Sequence, residues 1–326
     1  MAFRPPHAPR PFLKWAGGKR QLLPALRRFY PSRFGAYHEP FLGSGAVFFD
    51  LEARGLLEGR RVVLADTNVD VVGCYRAVAH DVEAIVEHLR TLAWHHAREG
   101  PGFYYEVRDR RFNPMREALQ RERLGNAQAG VEYPAELAAM LIYLNRTGYN
   151  GLFRLNARGL FNVPVGRYRQ PRVCDADNLR ACAATLARDT VELRHQSFEA
   201  VLDQAHEGDF VYFDPPYVPL RRSASFTAYT AAGFSSDAHR RLQQVTLTLA
   251  RRGCHVLLSN SSAPLVRDLY ERSQDATRAG LRTFRARARR AINARASARG
   301  PVIELIVTNT GGAPRAGRPK SAGFSV

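Results

Sequence analysis

The chain has 326 residues, 45% of them hydrophobic and 24% charged, so it is long enough to bury a sizeable core and too apolar for general disorder. Its formal charge of +18 favours a polyanionic partner. No stretch reaches the roughly 18 apolar residues of a membrane-spanning helix, the start lacks a secretory signal, and the four cysteines form no C-x-x-C pair. We therefore expect a cytoplasmic protein with reduced thiols and no metal site.

The first motif in the chain is "FLKWAGGKRQLL" (12–23). Its Gly-Gly-Lys lacks the glycine that the P-loop spacing requires at residue 13, so phosphate hydrolysis is not expected. A helix start with a glycine turn would explain the pattern. Trp15 and Lys19 nevertheless supply an aromatic face and a cation, and both suit a charged, planar ligand.

Two glycines follow the first predicted strand, in "EPFLGSGAVFFDL" (39–51). Gly43 and Gly45 precede a predicted helix, where glycine lets the backbone approach a nucleotide-like ligand. The next predicted strand, "RRVVLADTN" (60–68), ends near Asp66, whose carboxylate suits both hydroxyls of a ribose. Because Phe48 stands where a dinucleotide fingerprint has its third glycine, the pattern favours a nucleoside without saying which one.

The middle of the chain, residues 75–186, interrupts the alternation of strands and helices. Helical patterns such as "PAELAAMLIYLNRT" are followed by the polar stretch "NRTGYNGLFRLNARGLFNVPVGRYRQP". We expect an inserted, mainly helical domain here, between a first part at 1–74 and a second part at 187–312. Residues 313–326 are small, polar and rich in Pro and Gly, so a disordered tail is expected.

The strands resume after the insertion. We predict strands in "VELRHQSF" (191–198), "DFVYFDPPY" (209–217) and "GCHVLLSNS" (253–261), and two more around a basic loop at 278–308. Apolar strands that alternate with helices are typical of a doubly wound α/β sheet. In such a sheet the chemistry lies at the carboxyl ends of the strands.

The strand at 209–217 ends in an unusual group of residues. Pro215 and Pro216 restrict the backbone, so Asp214 and the Pro215 carbonyl form a rigid pair of acceptors for the two N–H groups of an amino group. Tyr217 then offers a flat surface on which an extruded base can stack. A strand capped by a rigid turn explains Asp-Pro-Pro alone equally well. The nucleoside pattern upstream favours the functional interpretation.

These blocks follow the motif order of the Dam-type DNA adenine-N6 methyltransferases of the D12 class, which the chain resembles from residue 12 to about residue 309. The matching blocks are "FLKWAGGK", "EPFLGSGAVFF", "ADTN", "LNRTGYNGLFRLNARGLFNVPVGRY", "HQSF", "YFDPPY" and "SFTAYTAAGF". The resemblance implies a seven-stranded mixed sheet with an inserted DNA-recognition domain. It also implies S-adenosyl-L-methionine as methyl donor and a flipped-out adenine of duplex DNA as acceptor.

The resemblance also implies roles for individual residues. The methyl-transfer motif is Asp214, Pro215, Pro216 and Tyr217. The cofactor positions are Trp15, Lys19, Phe41, Gly43, Gly45, Asp66, Phe198 and Asp214. The positions that touch DNA are Lys14, Arg146, Tyr149, Asn150, Leu152, Arg154, Pro164 and Tyr168. Arginine suits guanine and asparagine suits adenine, while a tyrosine can wedge between bases. The expected target is GATC, and the basic hairpin at 278–308 is expected to contact phosphates.

Two segments depart from the family pattern, namely 116–133 and the hairpin tip at 293–300. Two other functions stay open: an amino-methyltransferase for RNA or a protein amide, and a catalytically silent DNA-binding protein. The intact Asp214–Tyr217 motif argues against the second of these. A monomer is expected, and a cognate restriction endonuclease is a possible partner.

Overall fold

The computed structural model describes residues 8–15, 19–125, 132–218, 234–289 and 301–311. The predictions for 225–233, for the hairpin tip at 293–300 and for the tail at 313–326 lie outside these ranges. Within them, no helix is long and apolar enough to cross a membrane. The four cysteines are free thiols, and three of them are buried.

Seven strands of the described chain form one mixed sheet in the order β3-β2-β1-β4-β5-β7-β6, which confirms the predicted fold class. The first five are parallel, and β7 runs antiparallel to both of its neighbours. The strands are β1 Tyr37–Glu39, β2 Val62–Asp66, β3 Val191–His195, β4 Phe210–Phe213, β5 His255–Ser261, β6 Arg282–Arg289 and β7 Pro301–Thr308.

The central strand β4 is apolar throughout because both faces of the sheet are covered. Phe210 and Tyr212 belong to one hydrophobic cluster, and Val211 and Phe213 belong to the other, on the opposite face. Buried parallel strands read as continuous apolar runs for this reason. The α-helices are α1 Leu23–Leu26, α2 Ala46–Ala53, α3 Val69–His80, α4 Val82–Glu99, α5 Pro101–Glu106, α6 Asn113–Gly125, α7 Ala135–Thr147, α8 Ala176–Leu186, α9 Ser236–Arg251, α10 Pro264–Val266 and α11 Gln274–Arg278.

Six of these helices, α3 to α8, lie between β2 and β3 in the chain. α7 is buried on nearly all sides, from Leu137 to Asn145, as expected of a helix that is apolar all round. Short turns of other helix types occur here at Val107–Phe112 and Tyr149–Gly151. The same region contains an antiparallel bridge between Leu155 and Phe161, and we call residues 154–162 the hairpin loop.

A buried ion pair joins helix α6 to helix α3. The Arg116 side chain on α6 donates to Asp70 Oδ2 at 2.7 Å, and both side chains are at most 5% exposed. The Tyr133 hydroxyl donates to the other oxygen of Asp70 at 3.3 Å. Arg116 also donates to the carbonyl of Gly159 in the hairpin loop at 2.5 Å. Both ends of segment 116–133 therefore have a structural role, which the sequence did not indicate.

The strand order creates one crevice for a ligand. β1 lies between β2 and β4, and the chain passes from β1 to β2 on one side and returns to β4 on the other. In parallel sheets a ligand binds at the carboxyl ends of the strands where the order reverses. Gly43 and Asp214 follow the ends of β1 and β4, and Asp66 is the last residue of β2.

Candidate functional site

The glycine loop after β1 turns through two left-handed residues. Gly43 has φ of 46° and Gly45 has φ of 61°, and Gly45 immediately precedes α2. The Gly43 N–H donates to Asp66 Oδ2 at 3.0 Å, which joins the ends of β1 and β2. A Cβ atom at Gly43 would lie 2.9 Å from Cδ1 of the Trp15 ring. The loop therefore needs glycine here for both conformation and space.

Asp66 is held by the backbone of its own strand end. Its Oδ1 accepts the N–H of Asn68 at 2.9 Å, and the Asn68 side chain in turn caps α3 by accepting from Asp70 N–H at 3.0 Å. Burial raises the pKa of Asp66, and the two backbone N–H donors oppose that rise. A carboxylate oxygen has two lone pairs, so each oxygen can still accept a hydroxyl.

Aromatic rings line the same end of the sheet. Phe41 stacks on Phe198 with 5.3 Å between ring centroids, and Phe234 lies 5.7 Å from Phe41. Trp15 stacks on Phe153 at 6.0 Å. Phe41 lies two residues before Gly43, and Phe198 follows β3. Flat apolar surfaces next to a hydroxyl acceptor suit a nucleoside.

We expect Gly43→Ala to weaken cofactor binding, because the new methyl group would displace the Trp15 ring. Gly55→Ala is the matched control: Gly55 also has a positive φ, of 69°, but no atom lies within 4 Å of its added Cβ. Both variants should lose about 1–2 kcal/mol of unfolding free energy from the left-handed backbone. Titration calorimetry with S-adenosyl-L-methionine, the donor that the family resemblance implies, should show weaker binding only for Gly43→Ala. Equal affinity in both variants would contradict the steric role.

Asp214 lies at the end of β4 in direct contact with a cation. Lys19 Nζ is 2.8 Å from Asp214 Oδ1, and the Lys19 side chain is only 4% exposed. The Ser259 hydroxyl donates to the same oxygen at 3.3 Å. Burial raises the pKa of Asp214, the Lys19 charge lowers it, and the Glu304 charge raises it again. The Asp214 carboxylate therefore has a positive charge near it that lowers its pKa and a negative charge that raises it.

Tyr217 completes this part of the site. Lys19 Nζ lies over its ring, 4.1 Å from the centroid. The Tyr217 hydroxyl donates to Glu304 Oε2 on β7 at 2.8 Å. Pro215 is buried and Pro216 is exposed. One ammonium group thus touches both the carboxylate and the aromatic face that the motif provides.

Glu39, at the end of β1, is a third acid of the same edge. It is 2% exposed, and its Oε2 accepts the Tyr37 hydroxyl at 2.7 Å and the Phe48 N–H at 3.0 Å. Burial raises the pKa of Glu39 to about 8, and the nearby charges of Asp214 and Asp66 contribute to this shift. The three acids are therefore electrostatically linked. Among the described residues, no group of three potential metal ligands comes together.

A second set of candidates gathers around the N-terminal segment. The buried Asn145 side chain accepts the Lys14 N–H at 2.7 Å and donates to the Lys14 carbonyl at 2.7 Å. The same amide donates to the Gly151 carbonyl at 3.1 Å. Lys14 Nζ donates to the Arg146 carbonyl at 3.2 Å and lies 4.1 Å from the centroid of the Tyr168 ring. We call this arrangement the Asn145 clamp.

The remaining DNA candidates lie on the adjoining loop. Asn150 has φ of 54°, which is left-handed, and the Tyr149 N–H donates to the Pro164 carbonyl at 2.8 Å. Arg154 donates through Nε to Asn162 Oδ1 at 2.7 Å, and through Nη2 to the Asn162 carbonyl at 3.1 Å. Pro164 and Tyr168 are exposed, whereas Leu152 is 6% exposed and belongs to the hydrophobic core.

Sequence reasoning missed several residues of both sets. Ser259, Glu304 and Asn145 all form hydrogen bonds to predicted site residues. One signal was present, because "SNS" (259–261) interrupts an apolar strand with buried polar side chains. Buried polar groups require partners, so such an interruption points to a contact.

Comparison with known proteins is consistent with this geometry. The sequence pattern of the D12 class N6 adenine-specific DNA methyltransferases matches residues 15–284. The type II methyltransferase M1.LlaDCHI of Lactococcus lactis is 36% identical over 93% of this chain and 96% of its own length. M.MjaIII of Methanocaldococcus jannaschii is 35% identical over 92% and 99%. The DNA adenine methylase of Escherichia coli is 34% identical over 81% and 85%.

Proposed function

The chain belongs to the D12 class N6 adenine-specific DNA methyltransferases, and from this premise we propose that it methylates a flipped-out adenine of duplex DNA within GATC, with S-adenosyl-L-methionine as donor. The observation that carries the proposal is the position of Asp214 and Tyr217 at the end of β4. The Gly43–Asp66 pair lies at the ends of the neighbouring strands β1 and β2.

The donor fits the residues that follow β1 and β2. Asp66 accepts the ribose hydroxyls, the stacked Phe41 and Phe198 rings contact the adenine ring, and Gly43 leaves room for close approach. Bound S-adenosyl-L-methionine supplies an electrophilic methyl group on a positively charged sulfur. The Asp214 carboxylate lies at the same edge of the sheet, and its negative charge favours that positive charge.

Asp214 and the Pro215 carbonyl accept the two N–H groups of the adenine amino group. These acceptors favour a tetrahedral nitrogen and aim its lone pair at the methyl carbon. As the bond from the nitrogen to the methyl carbon would form, the bond from that carbon to sulfur would break and the sulfur would leave as a neutral thioether. Positive charge would pass to the nitrogen, so the Asp214 carboxylate stabilises the transition state more than the ground state. Tyr217 holds the base by stacking, and the excess proton would pass from the nitrogen to the hydrogen-bonded Asp214 carboxylate.

Residues 75–186 act as the target-recognition domain. Asn162 orients the Arg154 guanidinium by accepting from Nε and Nη2, which leaves Nη1 and the second N–H of Nη2 as donors for guanine. The half-buried loop around Tyr149 and Asn150 supplies a wedge and an adenine-type partner. Lys14 is held beside Arg146 by the Asn145 clamp. The similarity of the whole block to GATC-reading family members supports GATC as the target.

We expect Arg154→Ala to reduce discrimination at one guanine of the site by about 10- to 100-fold, the equivalent of one bidentate contact. Arg158→Ala is the matched control, because Arg158 is exposed on the same hairpin loop and only its backbone contacts Asn156. Competition between GATC and single-base variants measures the ratio. A ratio that falls equally in both variants would argue against base reading by Arg154.

The overall proposal is tested by transfer of labelled methyl from S-adenosyl-L-methionine to duplexes with GATC or single-base variants of it. Label on adenine N6 in GATC alone supports reaction and site together. Label in a different sequence would support adenine methylation and reject GATC as the target. Cofactor binding without label in any DNA would favour RNA or a protein amide as substrate, and DNA binding without cofactor binding would favour a silent DNA-binding protein.

We also propose that the active unit is a monomer. Sedimentation of the enzyme with and without a GATC duplex tests this. The relatives are named either type II methyltransferases or DNA adenine methylases. A cognate restriction endonuclease therefore remains a proposal, and a nuclease gene beside the methyltransferase gene would support it.

A further inference from the structure

Three polar side chains of β5 and β7 contact the segment that carries the methyl-transfer motif. Ser259 donates to Asp214, and the Ser261 hydroxyl donates to the Val218 carbonyl at 2.7 Å. Glu304 accepts the Tyr217 hydroxyl at 2.8 Å. Ser261 and Glu304 are directly paired in the sheet, so their side chains lie on the same face. The segment from Asp214 to Val218 is thus fastened at three points.

Glu304 is the charged member of this set, and its position requires an explanation. Its neighbours along β7, Leu305 to Val307, are at most 1% exposed, and Glu304 itself is half-buried. A carboxylate beside an apolar core is unfavourable unless it has partners. It also lies close enough to Asp214 to repel that carboxylate. A residue that served packing alone would not be an acid here.

We propose that Glu304 is a positioning residue of the methyl-transfer site, whose carboxylate holds the Tyr217 hydroxyl and so fixes the ring on which the target base stacks. This inference rests on the proposed function of Tyr217. The hydroxyl is the end of the ring farthest from the backbone, so an acceptor there restricts rotation of the side chain. A stacked base is then presented to Asp214 in one orientation, as efficient transfer requires.

The charge of Glu304 has a second effect, on the pH dependence of kcat. It changes the position of the acid limb, where kcat falls as the pH is lowered. The charged and titratable groups around Asp214 are Lys19, Glu304 on β7, Glu39 on β1, Tyr212 on β4 and Tyr217. Among these, Lys19 lowers the pKa of Asp214 and Glu304 raises it. Asp214 must be ionised to accept its N–H group and to stabilise the positive charge on the amino nitrogen. Removal of the Glu304 charge therefore shifts the acid limb of kcat to lower pH.

The test compares Glu304→Gln with Glu304→Ala. Glutamine keeps an acceptor for the Tyr217 hydroxyl, so we expect kcat at the pH optimum to be nearly retained while the acid limb moves to lower pH. Alanine removes the acceptor, and we expect kcat to fall by about 10- to 100-fold with little change in KM for S-adenosyl-L-methionine. Glu271→Gln is the control, because that carboxylate is held by Arg267 and Arg285 instead. It should leave the pH profile unchanged.

A double-mutant cycle with Tyr217→Phe separates positioning from general stability. If Glu304 acts through the hydroxyl, the losses of Glu304→Ala and Tyr217→Phe will be strongly non-additive. Additive losses, or an unmoved acid limb in Glu304→Gln, would overturn the inference. Titration of the Asp214 carboxyl by carbon NMR in wild type and Glu304→Gln requires no activity. A wild type without methyl transfer would therefore reject the proposed function, while a lower pKa of Asp214 in Glu304→Gln would still support the coupling.

Discussion

Asp214→Asn is expected to lower kcat for methyl transfer by about 10²- to 10³-fold, the usual effect of losing one group aimed at transition-state charge. Asparagine has nearly the same shape but no negative charge, and half of its end group is a donor. The amide oxygen can still accept an N–H group, but the negative charge that stabilises the positively charged nitrogen is missing. Lys19 also loses the carboxylate that lies 2.8 Å from its Nζ. Single-turnover methyl transfer with saturating DNA and cofactor measures the loss.

Asp209→Asn is the matched control, since Asp209 precedes β4 at the opposite end of the strand. Its carboxylate accepts the N–H groups of Ala36 and His206 and contacts His38, all of them structural contacts. We expect this variant to lose stability and to keep kcat. Because burial raises the pKa of Asp214, the wild-type acid limb should lie above the ordinary pKa of aspartate. If the Asp214→Asn enzyme kept nearly full kcat, the proposed role of the Asp214 carboxylate in methyl transfer would be wrong.

The Asp70→Ala substitution should cost about 3–5 kcal/mol of unfolding free energy, because it leaves the Arg116 charge buried without its partner. Asp70 and Arg116 side chains are 2% and 5% exposed, so solvent cannot replace the lost carboxylate. The Tyr133 hydroxyl loses its acceptor as well. Chemical denaturation followed by circular dichroism measures the loss.

Glu83→Ala provides the comparison, since Glu83 also pairs with a distant arginine. The Glu83 and Arg180 side chains are 66% and 42% exposed, and surface pairs of this kind add little to stability because solvent screens both charges. An additional Arg116→Met change should recover part of the stability lost in Asp70→Ala, because methionine removes the stranded charge. Equal losses of unfolding free energy for Asp70→Ala and Glu83→Ala would show that the buried pair stabilises the fold no more than the exposed pair does.

Local patterns in the sequence were sufficient to predict the sheet. The run Phe210–Phe213 predicted a buried strand, and the structure confirms it as β4. The predicted strands were longer than the observed ones because turn residues were counted with them. β1, for example, ends at Glu39 because Pro40 has no N–H for the ladder. The predicted motifs also lie at the ends of the strands. The glycine loop follows β1, Asp66 is the last residue of β2, and Asp214–Tyr217 follow β4.

Contacts between distant segments could not be predicted in this way. The Tyr217–Glu304 bond depends on the pairing of β5 with β7, and the Asp70–Arg116 pair joins residues 46 positions apart. Neither is visible in the periodicity of one element. Leu152 shows the converse: the resemblance assigned it to DNA, whereas its side chain is mostly packed in the core. Its role toward DNA remains a prediction.

The Asn145 clamp has a thermodynamic consequence. It holds a segment in which Lys14, proposed to read DNA, is followed directly by Trp15, whose ring contacts the glycine loop at Gly43. A shift of this short segment would therefore change both the binding of the cofactor and the binding of DNA. Linkage then requires reciprocity: the factor by which bound cofactor changes the affinity for DNA equals the factor by which bound DNA changes the affinity for cofactor. The coupling between the two binding constants therefore has one value, and a substitution at residue 14 or 15 is expected to change it equally in both directions of measurement.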